Sequence, residues 1–259
     1  KTRAKLCESQ IAATFWRVDA YRSRNEARIS LMMHVLLSCI WEHEAEMQIL
    51  LNALISAAIV APPAIAFTLL FSILRFPNFA VGSFITVGSY VALSANLYLG
   101  IGLVPALLIS MVVTAVLFKL SDTIVFSPLQ GHSDVTLLVV SIALSFIVES
   151  VVRLIFGSNV RGFNLELSRP LEWAGLRATP DQLLMIAASA AVMVVAHFFL
   201  RHTATGQAMR AIADNSMLAE TRGIDTGRVK TFAWMFCGAL IGFSGVISGI
   251  DLVIEPMLG

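Results

Sequence analysis

The chain has 259 residues, 57% of them hydrophobic and 14% charged, with a formal net charge of +1. Soluble domains carry about 25% charged residues, and a mean hydropathy of +0.80 with long apolar runs excludes a water-soluble globule. A net charge this small singles out no partner and implies no nucleic acid; its distribution along the chain is the informative quantity.

Residues 1–46 stand apart as a basic N-terminal extension with no legible function. They hold Lys1, Arg3, Lys5, Arg17, Arg22, Arg24 and Arg28. The apolar stretch Leu31–Trp41 is too short to span a membrane. The acidic run Glu42–Glu46 after it also argues against a signal peptide. A membrane domain is expected over residues 47–259, with spans at 48–74, 77–98, 101–119, 135–156, 181–200 and 231–254. Barrel-type alternation is missing from these segments, and lone strands leave backbone groups unpaired in lipid, so each span is predicted as helix. The fold class is therefore all-α, a polytopic bundle of about six transmembrane helices.

The first span carries Pro62-Pro63, which predicts a kink or break. Pro77 and Asn78 interrupt helix at the next membrane boundary. Interrupted helices in transporters expose backbone groups that line polar paths. In the fourth span Ser141 and Ser145 share one face, and serines there mostly bond their own backbone. Glu149 and Arg153 follow at i, i+4 in the same span, where charge is costly. They fit either a structural ion pair or a pathway lining. In the last span Gly238, Gly242, Gly245 and Gly249 fall within roughly a 60° sector, a stripe suited to close helix packing.

Loop 201–230 carries Arg201, Arg210, Arg222, Arg228 and Lys230, which places it in the cytoplasm. Counting back puts Arg75 and Lys119 on the same side. The basic tail then falls on the wrong face, which places the native start at Met47. Within the loop, Gly206–Ile224 reads as helix, break, helix. Asp214-Asn215-Ser216 forms the turn and can cap the second helix. Gly223 sits where a left-handed C′ residue is wanted, with Ile224 folding back on Leu218 or Ala219. Asp225 can cap the next helix. Arg210 and Asp214 are spaced to brace the first.

Three segments carry a resemblance. Gly206-Gln-Ala-Met-Arg-Ala-Ile-Ala-Asp-Asn215, with Ala219 to Ile224, resembles the coupling loop of branched-chain amino acid ABC permeases. Ile73-Leu-Arg-Phe-Pro-Asn-Phe-Ala-Val-Gly82, with Val87-Gly-Ser-Tyr90, resembles that family's Ile-Leu-Arg-x-x-Asn-Phe-Ala-His-Gly segment in its H-type subunit. Val81 stands where the family often has His. Ser127-Pro-Leu-Gln-Gly131 and the Ser141 to Ser145 stretch resemble its Arg-Pro-Leu-Arg-Gly…Ile-Gly-x-Ser stretch, with Ser127 and Gln130 replacing two usual arginines. The resemblance runs from about Asn52 to Gly259.

It implies the transmembrane permease subunit of an ATP-driven importer for branched-chain or related amino acids. Such a subunit is a multi-pass protein of the bacterial inner membrane. It works with ABC ATPase subunits, an M-type permease partner and a periplasmic solute-binding protein. Gly206, Arg210, Ala211, Asp214, Asn215, Glu220, Gly223 and Ile224 would dock the ATPase. Asn78, Phe79, Gly82, Ser141, Ser145 and Glu149 are candidates to line the translocation pathway. Urea or short amides are alternative solutes, and a secondary transporter or channel is the alternative class.

No phosphate-binding loop is written in the sequence, and Cys7, Cys39, Cys237 and the five histidines lack metal-ligand spacing. The chain is thus read as a non-enzyme with no catalytic residues, cofactor or metal, its energy supplied by a partner. Glu255–Gly259 resembles the point where family members enter further spans. The chain is therefore expected to stop in mid-fold and to leave the glycine stripe without some of the helices it would pack on. Even with an intact ATPase and binding protein, it is expected to support no uptake unless it completes its pathway by dimerising.

Overall fold

The computed structural model describes residues 24–129, 131, 133–157, 171–173 and 176–251, with backbone alone for 24–46, 99, 171–173, 176–178 and 251. The elements in chain order are α1 (Arg24–Leu74), α2 (Ala80–Leu99), α3 (Leu103–Ser121), a π-helical turn (Asp122–Phe126), a 3-10 turn (Ser127–Leu129), α4 (Asp134–Phe156), β1 (Leu171–Trp173), β2 (Leu176–Ala178), α5 (Pro180–His202), α6 (Ala204–Asp214), α7 (Ser216–Thr221) and α8 (Thr226–Asp251). They divide into two compact units. One holds residues up to Ala53 with the strands, and the other holds residues from Leu54 without them.

Among the described residues, six helical stretches are long and apolar enough to cross a membrane: Met47–Leu74, Ala80–Tyr98, Leu103–Leu129, Asp134–Phe156, Pro180–His202 and Thr226–Ile250. They match the six predicted spans, and the chain is a polytopic helical membrane protein. Two differences have local causes. First, α1 begins at Arg24, not at residue 48. Residues 24–61 contain neither Gly nor Pro, and Glu42–Met47 are mostly strong helix formers, so nothing stops the helix. Second, the connection before α5 contains a small antiparallel hairpin, with Leu171 opposite Ala178 and Trp173 opposite Leu176. Gln130 lies outside the described residues.

Helix boundaries follow the local chemistry. Gly100 adopts φ 61° at the end of α2. Thr179 and Gln182 form a reciprocal capping box ahead of Pro180, at 3.2 and 3.3 Å. In the second unit α8 is the most buried span and packs on α3 and α2. The glycine stripe makes this possible. A Cβ at Gly238 would lie 2.7 Å from the Ala115 Cα, and one at Gly242 would lie 2.9 Å from the Ser110 carbonyl. At Gly245 it would meet the Ile85 carbonyl and the Ser89 amide. Gly249 is buried on the same helix. At Gly238, Gly242 and Gly245 the stripe is packed by α3 and α2. From α3, the Ser110 hydroxyl donates to the Gly88 carbonyl at 2.7 Å, close to where α2, α3 and α8 meet.

At the proline pair α1 is not broken and stays helical from Arg24 to Leu74. Proline has no N–H, so Pro62 and Pro63 leave the carbonyls of Ala58 and Ile59 without their usual i+4 donors. Both find a hydroxyl. Ser189 on α5 donates to the Ala58 carbonyl, and Ser244 on α8 donates to the Ile59 carbonyl at 2.9 Å. Ser189→Ala and Ser244→Ala are each expected to cost about 0.6–1.7 kcal/mol, the range of interhelical hydrogen bonds in membranes. Thermal unfolding in detergent measures this. The Ser189→Ala cost should shrink in a Pro62→Ala background, where the restored N–H serves Ala58 from within the helix.

Candidate functional site

Turn 75–79, between α1 and α2, sends each of several neighbouring groups to a different element. Arg75 ends α1 with φ 66°, the one non-glycine residue with positive φ among those described. Its Nη2 donates to the carbonyls of Ala213 at 2.6 Å and Asp214 at 3.3 Å, at the end of α6. Phe76 is buried, with its ring centroid 5.4 Å from that of Phe126. The Asn78 side-chain oxygen accepts from the Ala80 amide at 3.0 Å and so starts α2. The Phe79 amide donates to the Ser141 hydroxyl on α4 at 3.2 Å.

That last bond opens a polar seam between α2 and α4. Ser141 also donates to the Leu138 carbonyl at 2.7 Å. One turn on, the hydroxyls of Ser83 and Ser145 pair. One turn further on the same face, the half-buried Glu149 lies 3.9 Å from Arg153, which belongs to the last turn of α4. Ser141 bonds its own backbone as expected, and Ser141 and Ser145 both hold α2. Asn78 is 1% exposed and its Nδ2 has no partner. Gly82 is partly buried beside the seam, whereas Phe79 is half exposed and turns its ring toward Phe67. Of the predicted pathway residues, Ser141 and Ser145 bond across to α2, through the Phe79 amide and Ser83.

The α6–α7 segment folds as helix, turn, helix. Thr203 caps α6 by accepting from the Gly206 amide at 3.0 Å. Gly206 is packed so closely on the end of α5 that a Cβ would lie 2.5 Å from the Phe199 carbonyl. Asn215 caps α7, accepting from the Leu218 amide at 3.1 Å. Gly223 has φ 83°, with Ile224 N–H on the Ala219 carbonyl at 3.1 Å and Gly223 N–H on the Glu220 carbonyl at 2.9 Å. This is the paired 6→1 and 5→2 pattern of a Schellman stop. Asp225 then caps α8 by accepting from the Arg228 amide at 3.1 Å, and Glu220 accepts from the Thr226 hydroxyl at 2.8 Å.

One expected pair does not form. Arg210 makes no ion pair with Asp214 and instead donates to the Arg201 carbonyl at 3.3 Å, because the end of α5 runs alongside. Met209, Ile212 and Ala219 turn inward onto Ile73, Val229 and Ala233, with Ala211 partly buried. The outer face exposes Gln207, Arg210, Asp214 and Asn215, then two apolar residues, Met217 at 77% and Leu218 at 57%. Met217 was not singled out from sequence, and Leu218 only as a packing contact for Ile224. Two apolar residues opening a short polar helix are the signal that would have found them.

A family model described as branched-chain amino acid transport system / permease component matches residues 49–257. The chain is 28% identical over 225 residues to a probable branched-chain amino acid transport permease protein LivH of Methanocaldococcus jannaschii, covering 83% of this chain and 70% of that one. It is 25% identical over 227 residues to the high-affinity permease BraD of Pseudomonas aeruginosa, covering 82% and 74%. It is 26% identical over 229 residues to the high-affinity permease LivH of Escherichia coli, again covering 82% and 74%. No solved structure matches significantly.

The left-handed stop at Gly223 makes a measurable demand. Gly223→Ala forces an L side chain into that region at about 1–2 kcal/mol. Amide exchange across 216–224 should then accelerate roughly tenfold, whereas Gly223→Asn should change it little.

Proposed function

The chain belongs to the branched-chain amino acid transport permease family, and from that premise we propose that it is the membrane-spanning permease subunit of an ATP-driven importer. Branched-chain amino acids are its proposed solutes and the bacterial inner membrane its site. A partner ATPase supplies the energy, docking on α6–α7. An M-type permease chain and a solute-binding protein complete the system.

The observation that carries this reading is the ordered α6–α7 projection. It is capped at each helix start and stopped by a left-handed glycine, and it offers exposed Met217 and Leu218 amid polar neighbours. A passive connector has no use for an apolar step facing water, whereas a docking knob has. The bond from Arg75 to the end of α6 supports the topology, since it joins two segments that charge counting puts on one side of the membrane.

The α2–α4 seam is the proposed solute path. Ser83, Ser141, Ser145 and Glu149 supply hydroxyls and a carboxylate along it. The unpartnered Asn78 amide is a donor at its end, suited to a solute carboxylate.

Single cysteines at positions 207, 210, 214, 217 and 218 test the docking in the full complex. Positions 217 and 218 should cross-link to the ATPase most strongly. Failure at all five positions would overturn the docking assignment. Gly223→Val should uncouple ATP hydrolysis from leucine uptake in proteoliposomes, because a β-branched residue resists the left-handed conformation the stop requires.

A further inference from the structure

We infer that Arg75 is a positioning residue that transmits movement of α6 to the α2–α4 seam. The inference deepens the docking reading above and rests on it.

The two ends of α6 are held in different ways. At its start, backbone contact at Gly206 and the bond from Arg210 to the Arg201 carbonyl fasten it to α5. At its end, the carbonyls of Ala213 and Asp214 face the Arg75 guanidinium. Terminal helix carbonyls lack intrahelical donors, and the helix dipole favours a cation there. α6 therefore bridges α5 and turn 75–79. Apart from the Thr226 hydroxyl bonded to Glu220 where α7 runs into α8, the contacts of α6 and α7 with α1 and α8 run through apolar Ile73, Val229 and Ala233. Apolar contact is non-directional and tolerates sliding, whereas a charge-assisted hydrogen bond fixes distance and direction.

The turn is built to pass such a pull onward. Arg75 holds a left-handed conformation that costs a non-glycine residue roughly 1–2 kcal/mol. A glycine there would avoid that cost and lose the guanidinium. Four residues after Arg75, the Phe79 amide is bonded to Ser141 on α4, and the Asn78 side chain accepts from the Ala80 amide that opens α2. Displacement of the end of α6 thus reaches both walls of the seam within one turn of chain. Arg75 makes no contact with the seam itself and acts through its neighbours.

The test uses the complete complex in proteoliposomes. It reads leucine taken up per ATP hydrolysed, basal hydrolysis, and cross-linking from a cysteine at position 217 to the ATPase. Arg75→Ala should leave cross-linking and basal hydrolysis intact and lower uptake per ATP about tenfold or more, in line with the loss of a hydrogen bond to a charged group. Arg75→Lys should recover part of that ratio. Arg75→Gly should not, although it removes the backbone strain. If Arg75→Ala fails to assemble, Arg75→Gln replaces it and should lower the ratio several-fold.

Intact cross-linking with an unchanged ratio in Arg75→Ala or Arg75→Gln overturns the inference and leaves the docking reading standing. Recovery of the ratio by Arg75→Gly also overturns it, because the strain and not the bond would then be at issue. Absence of the position-217 cross-link in the unsubstituted complex overturns the docking reading and this inference together.

Discussion

Inside hydrocarbon a backbone carbonyl must find its donor within the protein. This constraint shapes the second unit. Adjacent prolines in α1 release two carbonyls in succession, and two serines from two different helices take them. What would be a defect in an isolated helix becomes a pair of fixed attachment points. They tie the middle of α1 to α5 and to α8. The packing of Ala58 and Ala66 beside them follows, as does the weak donation from the Cys237 thiol to the Ala66 carbonyl at 3.4 Å.

Close to the turn that follows α1, aromatic packing takes over. Phe76 reaches Phe126, Phe126 and Phe118 each lie against Trp234, and Phe118 meets Phe84 edge-on. The Lys119–Asp122 ion pair at 2.5 Å sits where α3 widens into its π-helical turn. Such a widening re-aims side chains by inserting a residue, and here it delivers Phe126 into the cluster. The short turn 75–79 is consequently anchored in the aromatic cluster at Phe76 and attached to α6 and α4 on other sides.

The six spans were legible because run length and polarity dictate membrane crossing without tertiary detail. The caps at Asn215 and Asp225 and the stop at Gly223 were legible for a related reason: each is a local bargain between one side chain or one φ angle and a nearby amide. Features that depend on a remote neighbour were not. Nothing near Arg75 in sequence points to carbonyls more than 130 residues away. Arg210 had an ideally spaced acid on its own helix, yet the end of α5 offered a nearer acceptor. The prolines announced a disturbance without naming the serines that absorb it. The hairpin was missed because three-residue strands are shorter than any periodicity can register. The glycine stripe showed that something approaches closely, while only the structure identifies Ala115, Ser110 and Ile85 as what does.

The two sides of α2 are joined to their neighbours by different kinds of contact. Toward α3 and α8, Gly88 faces Gly242 so closely that a Cβ would lie 3.0 Å from its Cα. Toward α4, the joint near turn 75–79 runs through hydroxyls, Ser83 with Ser145 and the Phe79 amide with Ser141, and farther along it through Tyr90 against Phe156. Backbones in van der Waals contact have no room to rearrange without separating, and interiors packed in that way compress little. Hydroxyls rotate and swap acceptors, as Ser141 can between Leu138 and a new partner, at the cost of a single bond. The bundle is therefore mechanically anisotropic: stiff across the glycine joint and compliant along the serine joint, so an applied force finds its softest direction between α2 and α4.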